Sequence, residues 1–140
     1  MKIEKANLDD IKELLFIEEK LFFNDSSALS KASFSYHLKR NIIYKIKIDK
    51  KTVAYILWLK RKNYYRLYSL AILKEFQGKG LGKSLLEFSL NTLDKDCFEL
   101  EVRVSNQTAI NLYEKFGFQK VKILEEFYDD EDGIKMRLKR

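Results

Sequence analysis

The sequence of 140 residues has no proline, one cysteine and one histidine. Cys97 has no partner for an internal disulfide, and with His37 it falls short of the four ligands of a structural zinc site, so we expect a chemistry that needs no metal. No linker, repeat or low-complexity segment interrupts the chain, which predicts a single domain over residues 1–140. No apolar run approaches the roughly 20 residues that span a bilayer, and residues 1–5 lack the apolar stretch of a signal peptide, which predicts a cytoplasmic protein.

Charge is present in both signs with a basic excess: 27 Lys and Arg against 21 Asp and Glu, a net charge of +6. Such an excess attracts anions, either nucleic acid or a phosphate-rich cofactor. The basic residues are spread along the chain, which is typical of a solvated surface. Residues 60–66 alone interleave basic and aromatic side chains, and a hairpin turn explains them as well as a nucleic-acid contact does. A basic nucleic-acid-binding module therefore stays open as a non-enzyme alternative.

Hydrophobic spacing and turn residues predict an α/β fold with the order βααβββαβαββ, in which about seven strands form a mixed, largely antiparallel sheet with about four helices. Asn7 is the expected cap of the first helix, and Ser30 or Ser33 of the second. The predicted strands are residues 1–6, 42–48, 52–59, 65–73, 97–104, 118–127 and 134–138. The predicted helices run from Asn7 to near Phe23, through a short segment after Ser30 or Ser33, and over residues 81–93 and 106–116.

A glycine-rich turn joins a predicted strand to a predicted helix and contains three of the five glycines within five residues. Backbone N–H groups unobstructed by side chains at a helix N-terminus form an anion site, and pyrophosphate would fit it. The spacing matches neither a Walker loop nor a dinucleotide fingerprint, and a plain strand-to-helix turn is the alternative. The predicted cofactor-binding residues of this turn are Gln77, Gly78, Lys79, Gly80, Leu81, Gly82 and Lys83.

The turn resembles the pyrophosphate loop of the GCN5-related N-acetyltransferase (GNAT) superfamily, Gln/Arg-x-x-Gly-x-Gly/Ala, with Gln77, Gly80 and Gly82 at its defined positions. The similarity extends over residues 65–138, and the segments 100–106, 109–118 and 128–138 together look like the ribosomal-protein-alanine N-acetyltransferase branch. It implies direct transfer from acetyl-CoA to a primary amine, without an acyl-enzyme, and the N-terminal amine of a ribosomal protein as acceptor. One departure is that residues 73–76 replace the Asp-Pro pair that family members often carry.

The resemblance also implies roles for individual residues. Glu101 matches the glutamate that takes the amine proton, often through water, and Tyr113 matches the acid that protonates the leaving thiolate. Asn106 matches a residue that hydrogen-bonds the coenzyme, and the backbone of Leu70, Ala71 and Ile72 matches the segment that pairs with the pantetheine arm. From spacing alone, two plainer interpretations stay open: a strand glutamate paired with Arg103, which shares its face, and a tyrosine packed in the core.

The acceptor is less defined than the cofactor. Small amines such as a polyamine, an amino sugar or an amino acid are the alternative to a protein N-terminus. Residues 125–132 hold six carboxylates in eight positions, and among them Asp129, Asp130, Glu131 and Asp132 predict attraction of a basic acceptor. A solvated charged hairpin is the alternative interpretation of this segment.

Overall fold

The computed structural model describes all 140 residues, and the helices and strands follow the predicted order. Two short 3-10 turns, Leu8–Asp10 and Lys74–Phe76, accompany them. The elements are β1 (Lys2–Lys5), α1 (Ile11–Phe22), α2 (Lys31–Arg40), β2 (Ile42–Ile48), β3 (Lys51–Lys60), β4 (Tyr65–Ile72), α3 (Leu81–Thr92), β5 (Cys97–Arg103), α4 (Gln107–Lys115), β6 (Gln119–Tyr128) and β7 (Glu131–Lys139).

Seven strands form the sheet in the order β1-β2-β3-β4-β5-β7-β6. β4 and β5 pair in parallel, whereas β1 with β2, β2 with β3, β5 with β7 and β6 with β7 pair antiparallel. The predicted α/β class with a mixed, largely antiparallel sheet is therefore confirmed.

The chain divides into two compact units. The first comprises residues 1–60 and 68–93, and the second comprises residues 61–67 and 94–140. The single domain expected over residues 1–140 stays a prediction. None of the helices combines the length and the apolar character that crossing a bilayer requires.

Strand β3 is the centre of the first unit's core because both of its faces are covered. Residues 52–59 are all buried, α1 packs on β3, and α3 packs on β2 and β3. A strand covered on both faces carries a nearly continuous apolar run, which accounts for the sequence Thr-Val-Ala-Tyr-Ile-Leu-Trp-Leu. The ring of Phe34 in α2 meets that of Tyr55 edge-on, with 5.6 Å between centroids.

Asn7 caps the 3-10 turn that precedes α1, whereas α1 itself begins after Asp10 without a side-chain cap. The Asn7 side chain accepts the Asp9 N–H at 2.9 Å, and Asp10 accepts the Asn7 N–H at 2.8 Å, so the chain makes a 3-10 turn before α1. Ser30, rather than Ser33, caps α2 by accepting the Ser33 N–H at 3.1 Å. Both caps satisfy donors that the helices leave without partners.

The second unit is built on β5, whose alternate side chains face opposite ways as predicted. Phe98, Leu100 and Val102 are buried, whereas Val104 lies beyond the end of the strand and is 38% exposed. Other buried apolar residues of this unit are Tyr65, Leu67, Ile110, Tyr113, Phe118, Ile134 and Met136. Strand β7 runs antiparallel to β5, with Arg137 opposite Glu99 and Lys135 opposite Glu101.

Candidate active site

The glycine turn of the first unit adopts a backbone conformation that favours glycine. Gly78 and Gly80 have φ angles of 77° and 80°, in the left-handed region. A Cβ atom added at either position would meet no atom within 4 Å. The requirement for glycine there is thus one of backbone conformation, and the space over the turn is open to a ligand.

The turn leads into an uncapped helix. Gly80 directly precedes α3, and no side chain caps the helix N-terminus. The Ser84 N–H already bonds the Gly80 carbonyl at 3.0 Å, which leaves the N–H groups of residues 81–83 without an acceptor within the helix. Lys79 and Lys83 are exposed beside these donors. The arrangement fits a pyrophosphate, because the donors and the helix dipole both favour an anion.

A hydrogen bond from Gln77 closes the turn. Its side-chain amide donates to the Ile72 carbonyl at 2.9 Å. Where the family often has Asp-Pro, residues 74–76 form a 3-10 turn, and the Leu73 N–H is fixed to the Val53 carbonyl at 2.9 Å. The departure from the family pattern therefore leaves an ordered approach to the glycines.

In the second unit, two glutamates on the same face of β5 have different surroundings. Both carboxylate oxygens of Glu99 are paired, one with Arg137 Nε at 3.0 Å and the other with Lys135 Nζ at 3.2 Å. Burial by itself would raise the pKa of Glu99, but these two partners outweigh burial and hold the pKa below its usual value. Glu99 is thus held as a structural anion.

Glu101 is paired through one oxygen only. Arg66 Nε donates to Oε1 at 2.7 Å, and Arg66 Nη2 lies 2.5 Å from the same atom. Lys135, the residue directly across from Glu101 in the strand register, reaches Glu99 instead. The suggested pairing of Glu101 with Arg103 is therefore wrong. The second carboxylate oxygen of Glu101, Oε2, is left for a water molecule or an amine.

Arg103 pairs with the turn between β6 and β7. Its guanidinium binds Asp130 and lies 3.3 Å from Glu131, which also accepts the Ser105 N–H at 3.0 Å and the Ser105 hydroxyl at 2.9 Å. The hydrogen bond from Arg103 lowers the pKa of Asp130, and those from Ser105 and Arg103 lower the pKa of Glu131. Asp132 also accepts the Glu126 N–H at 2.8 Å, so three of the four acidic residues predicted to attract an acceptor have internal partners.

Two tyrosines are linked electrostatically, and Glu101 acts on one of them, Tyr128. Tyr113 of α4 is buried against Phe118, and burial, followed by the effect of Tyr128, raises its pKa to about 12. Burial and then the Glu101 charge raise the pKa of Tyr128, while Arg103, whose guanidinium lies 4.4 Å from its ring, lowers it. Sequence reasoning did not connect Tyr128 with Glu101. The available signal was an aromatic pair inside an acidic segment.

Gly133 provides room for the tyrosine ring. A Cβ atom at this position would approach Tyr128 Cε2 to 3.1 Å and Phe127 Cβ to 3.2 Å. Contacts this short force a neighbour to move. The position of Tyr128 therefore depends on a glycine of the opposite strand.

Asn106 caps α4, which is a role separate from the coenzyme contact that the resemblance implies. Its side-chain oxygen caps α4 by accepting the Ala109 N–H at 3.2 Å. It precedes the helix with a non-helical ψ of 69° and is exposed, whereas Tyr113 is buried. The helix predicted over residues 106–116 therefore begins one residue later, at Gln107. The side-chain NH₂ group of Asn106 is left for a ligand, and its contact with a coenzyme stays a prediction.

The stretch that kept nucleic-acid binding open is not an exposed aromatic surface. Tyr65 is buried and donates its hydroxyl proton to Asp94 at 2.6 Å, and Arg66 is paired with Glu101. Stacking of bases needs accessible aromatic faces. This part of the structure therefore gives the nucleic-acid alternative no support.

Comparison with known proteins agrees with these features. The model of the Acetyltransferase (GNAT) family matches residues 8–118. An uncharacterized N-acetyltransferase of Methanocaldococcus jannaschii is 31% identical over 144 aligned positions, covering 99% of this chain and 90% of that protein. An N-alpha-acetyltransferase of Saccharolobus solfataricus is 47% identical over 73 residues, which cover 49% of this chain and 44% of that protein. The chain thus aligns with less than half the length of this second relative.

A solved structure extends the similarity to the whole fold. The ribosomal-protein-S18-alanine N-acetyltransferase from Escherichia coli superposes with a TM-score of 0.88 at 27% identity, covering 99% of this chain and 92% of that one. The family model, the full-length relative and this structure agree with one another and with the resemblance found in the sequence. The chain therefore belongs to the acetyltransferase (GNAT) family, a family of enzymes.

Proposed function

We propose that the protein is an N-acetyltransferase that moves the acetyl group from acetyl-CoA directly to a primary amine, with the N-terminal amine of a protein as the acceptor. The observation that carries the proposal is the glycine turn, whose uncapped helix N-terminus and left-handed Gly78 and Gly80 fit a pyrophosphate. The choice of acceptor is supported by the names of two relatives, an N-alpha-acetyltransferase and an alanine N-acetyltransferase of a ribosomal protein.

In this proposal the first unit holds the coenzyme. The N–H groups of residues 81–83 bind the pyrophosphate, and Lys79 and Lys83 add positive charge. The backbone of Leu70, Ala71 and Ile72 pairs with the pantetheine arm as an added strand would. The Ile72 carbonyl oxygen also accepts the hydrogen bond from Gln77 that closes the turn.

Glu101 prepares the amine for attack. An α-amino group has a pKa of about 8 and is mostly protonated at neutral pH. The Glu101 carboxylate takes that proton at Oε2, directly or through water, because Oε1 is held by Arg66. The neutral nitrogen then attacks the thioester carbonyl and the C–N bond forms. As the C–S bond breaks to release a thiolate, the nitrogen loses its second proton to water.

Tyr113 stabilises the departing sulfur as a hydrogen-bond donor. Burial raises the pKa of its hydroxyl to about 12, so the hydroxyl is protonated at neutral pH and can donate. The hydrogen bond that it donates strengthens as negative charge develops on the sulfur. Solvent can then supply the proton.

An acetyl-transfer assay tests the proposed function. The panel comprises peptides with free N-termini, N-terminally blocked lysine peptides, polyamines, amino sugars and amino acids, with acetyl-CoA as donor. We expect transfer to the α-amine of the free-N-terminus peptides and none to the blocked ones, detected by mass spectrometry. Transfer only to polyamines, amino sugars or free amino acids would show that the acceptor is a small amine and not a protein. No transfer to any member of the panel would contradict the proposed acetyltransferase function.

The phosphate-binding role of the glycine turn is tested by Gly80→Ala. Any side chain at a φ of 80° is strained by about 1–2 kcal/mol, so the control is Gly117→Ala at a φ of 99° in the second unit. Both variants should lose stability, but only Gly80→Ala should weaken acetyl-CoA binding, by about tenfold or more, in calorimetric titration. Equal acetyl-CoA affinities of the two variants would contradict the phosphate-binding role of the glycine turn.

The two proposed catalytic residues are tested by Glu101→Gln and Tyr113→Phe. We expect kcat to fall roughly 10²–10⁴-fold for the first, as for a lost general base, and roughly 10²–10³-fold for the second, as for a lost donor to developing charge. Acetyl-CoA affinity should change little. The loss in Glu101→Gln should shrink above about pH 8, where the amine is already neutral. Folded variants with wild-type turnover would refute both roles.

The acidic turn is tested by separating its charge from its internal contacts. Asp129→Asn with Glu125→Gln removes exposed charge and keeps the contacts of Arg103 with Asp130 and Glu131. We expect a higher KM for a basic peptide at low salt, unchanged acetyl-CoA affinity and a weaker dependence of activity on ionic strength. An unchanged KM for every basic acceptor would exclude this attraction.

A further inference from the structure

Arg66 is a charged residue that the family resemblance did not assign to the site. We infer that it is a positioning residue, which holds the Glu101 carboxylate by Oε1 and thereby directs Oε2 toward the reacting amine. The inference rests on the proposed function, since it concerns the same glutamate. It adds a second residue to the proposed mechanism, and the effect of that residue on kcat can be measured separately from the effect of Glu101.

The contact geometry supports a positioning role. Arg66 Nε and Nη2 both bind Oε1, at 2.7 and 2.5 Å, and the two side chains are 30% and 13% exposed. A glutamate side chain has three rotatable torsions, and fixing them has an entropic cost. The planar guanidinium fork offers two donors in a fixed geometry, so it holds the carboxylate more firmly than a single ammonium group would.

The distribution of charges leaves this task to Arg66. The other cations near this face have carboxylate partners of their own, because Lys135 and Arg137 bind Glu99 and Arg103 binds the β6–β7 turn. Glu101 is paired only with Arg66.

The strand register explains why the residue is an arginine. In the parallel pair of β4 and β5, Arg66 lies opposite Glu99 rather than Glu101. The Glu101 carboxylate therefore belongs to a residue two positions further along β5, about 7 Å away along the strand. The long arginine side chain spans that offset, whereas the nearer carboxylate oxygens on Glu99 are already paired.

A double-mutant cycle with Arg66→Gln and Glu101→Gln tests the inference. Alone, Arg66→Gln should lower kcat by about tenfold with little change in the KM for acetyl-CoA. In the Glu101→Gln background it should change kcat by less than about twofold, because a positioning residue has no effect once the group it positions is absent. Arg66→Lys, which keeps the charge and loses the fork, should recover part of the activity.

Arg137→Gln is a matched control. Arg137 binds Glu99 through Nε at 3.0 Å, and these side chains are 31% and 11% exposed, close to the values for Arg66 and Glu101. Arg66→Gln should lower the thermal midpoint at least as much as Arg137→Gln, because Lys135 still pairs with Glu99 after the loss of Arg137. Only Arg66→Gln should reduce kcat.

Three results would overturn the inference: equal kcat losses from Arg66→Gln in both backgrounds, a comparable kcat loss in Arg137→Gln, or an Arg66→Gln variant that is as active as the wild type or more so. Because these results require an active wild-type protein, they leave the proposed function intact. A wild type that transfers acetyl to no acceptor in the panel would instead overturn the proposed function and this inference with it.

Discussion

The second unit depends on the pairing of charges along one face of β5. Glu99, Glu101 and Arg103 alternate with buried apolar residues, and partly buried charges are costly unless they are paired. Their partners come from β4, from β7 and from the β6–β7 turn. The pairings therefore join segments far apart in sequence, and the same pairings leave one glutamate with an oxygen available for chemistry.

The β6–β7 turn shows that an acidic composition can have a structural origin. Asp130 and Glu131 bind Arg103, whose guanidinium also lies against the Tyr128 ring. The carboxylates thus help to fix the arginine that in turn contacts the tyrosine. Net charge alone would have assigned all of these residues to an acceptor, whereas the contacts divide them between internal pairing and exposed charge.

Sequence reasoning predicted the elements and the glycine turn because their signals are local. Periodicity, caps and glycine spacing lie within a few residues of the structure that they specify. It did not predict the Arg66–Glu101 and Arg103–Asp130 contacts, which join residues 35 and 27 positions apart. The local guess of Glu101 with Arg103 failed because Arg103 binds Asp130 and Glu131 of the β6–β7 turn, while Arg66 of the neighbouring strand binds Glu101.

Gly133 has a consequence for how this protein can diverge during evolution. It carries no reactive group, yet the rings of Tyr128 and Phe127 occupy the space that a side chain there would need. A side chain at Gly133 therefore requires Tyr128 and Phe127 to shift by a few tenths of an ångström or to be replaced by smaller residues. Lineages that keep Tyr128 should keep Gly133, and the loss of either residue removes the constraint on the other.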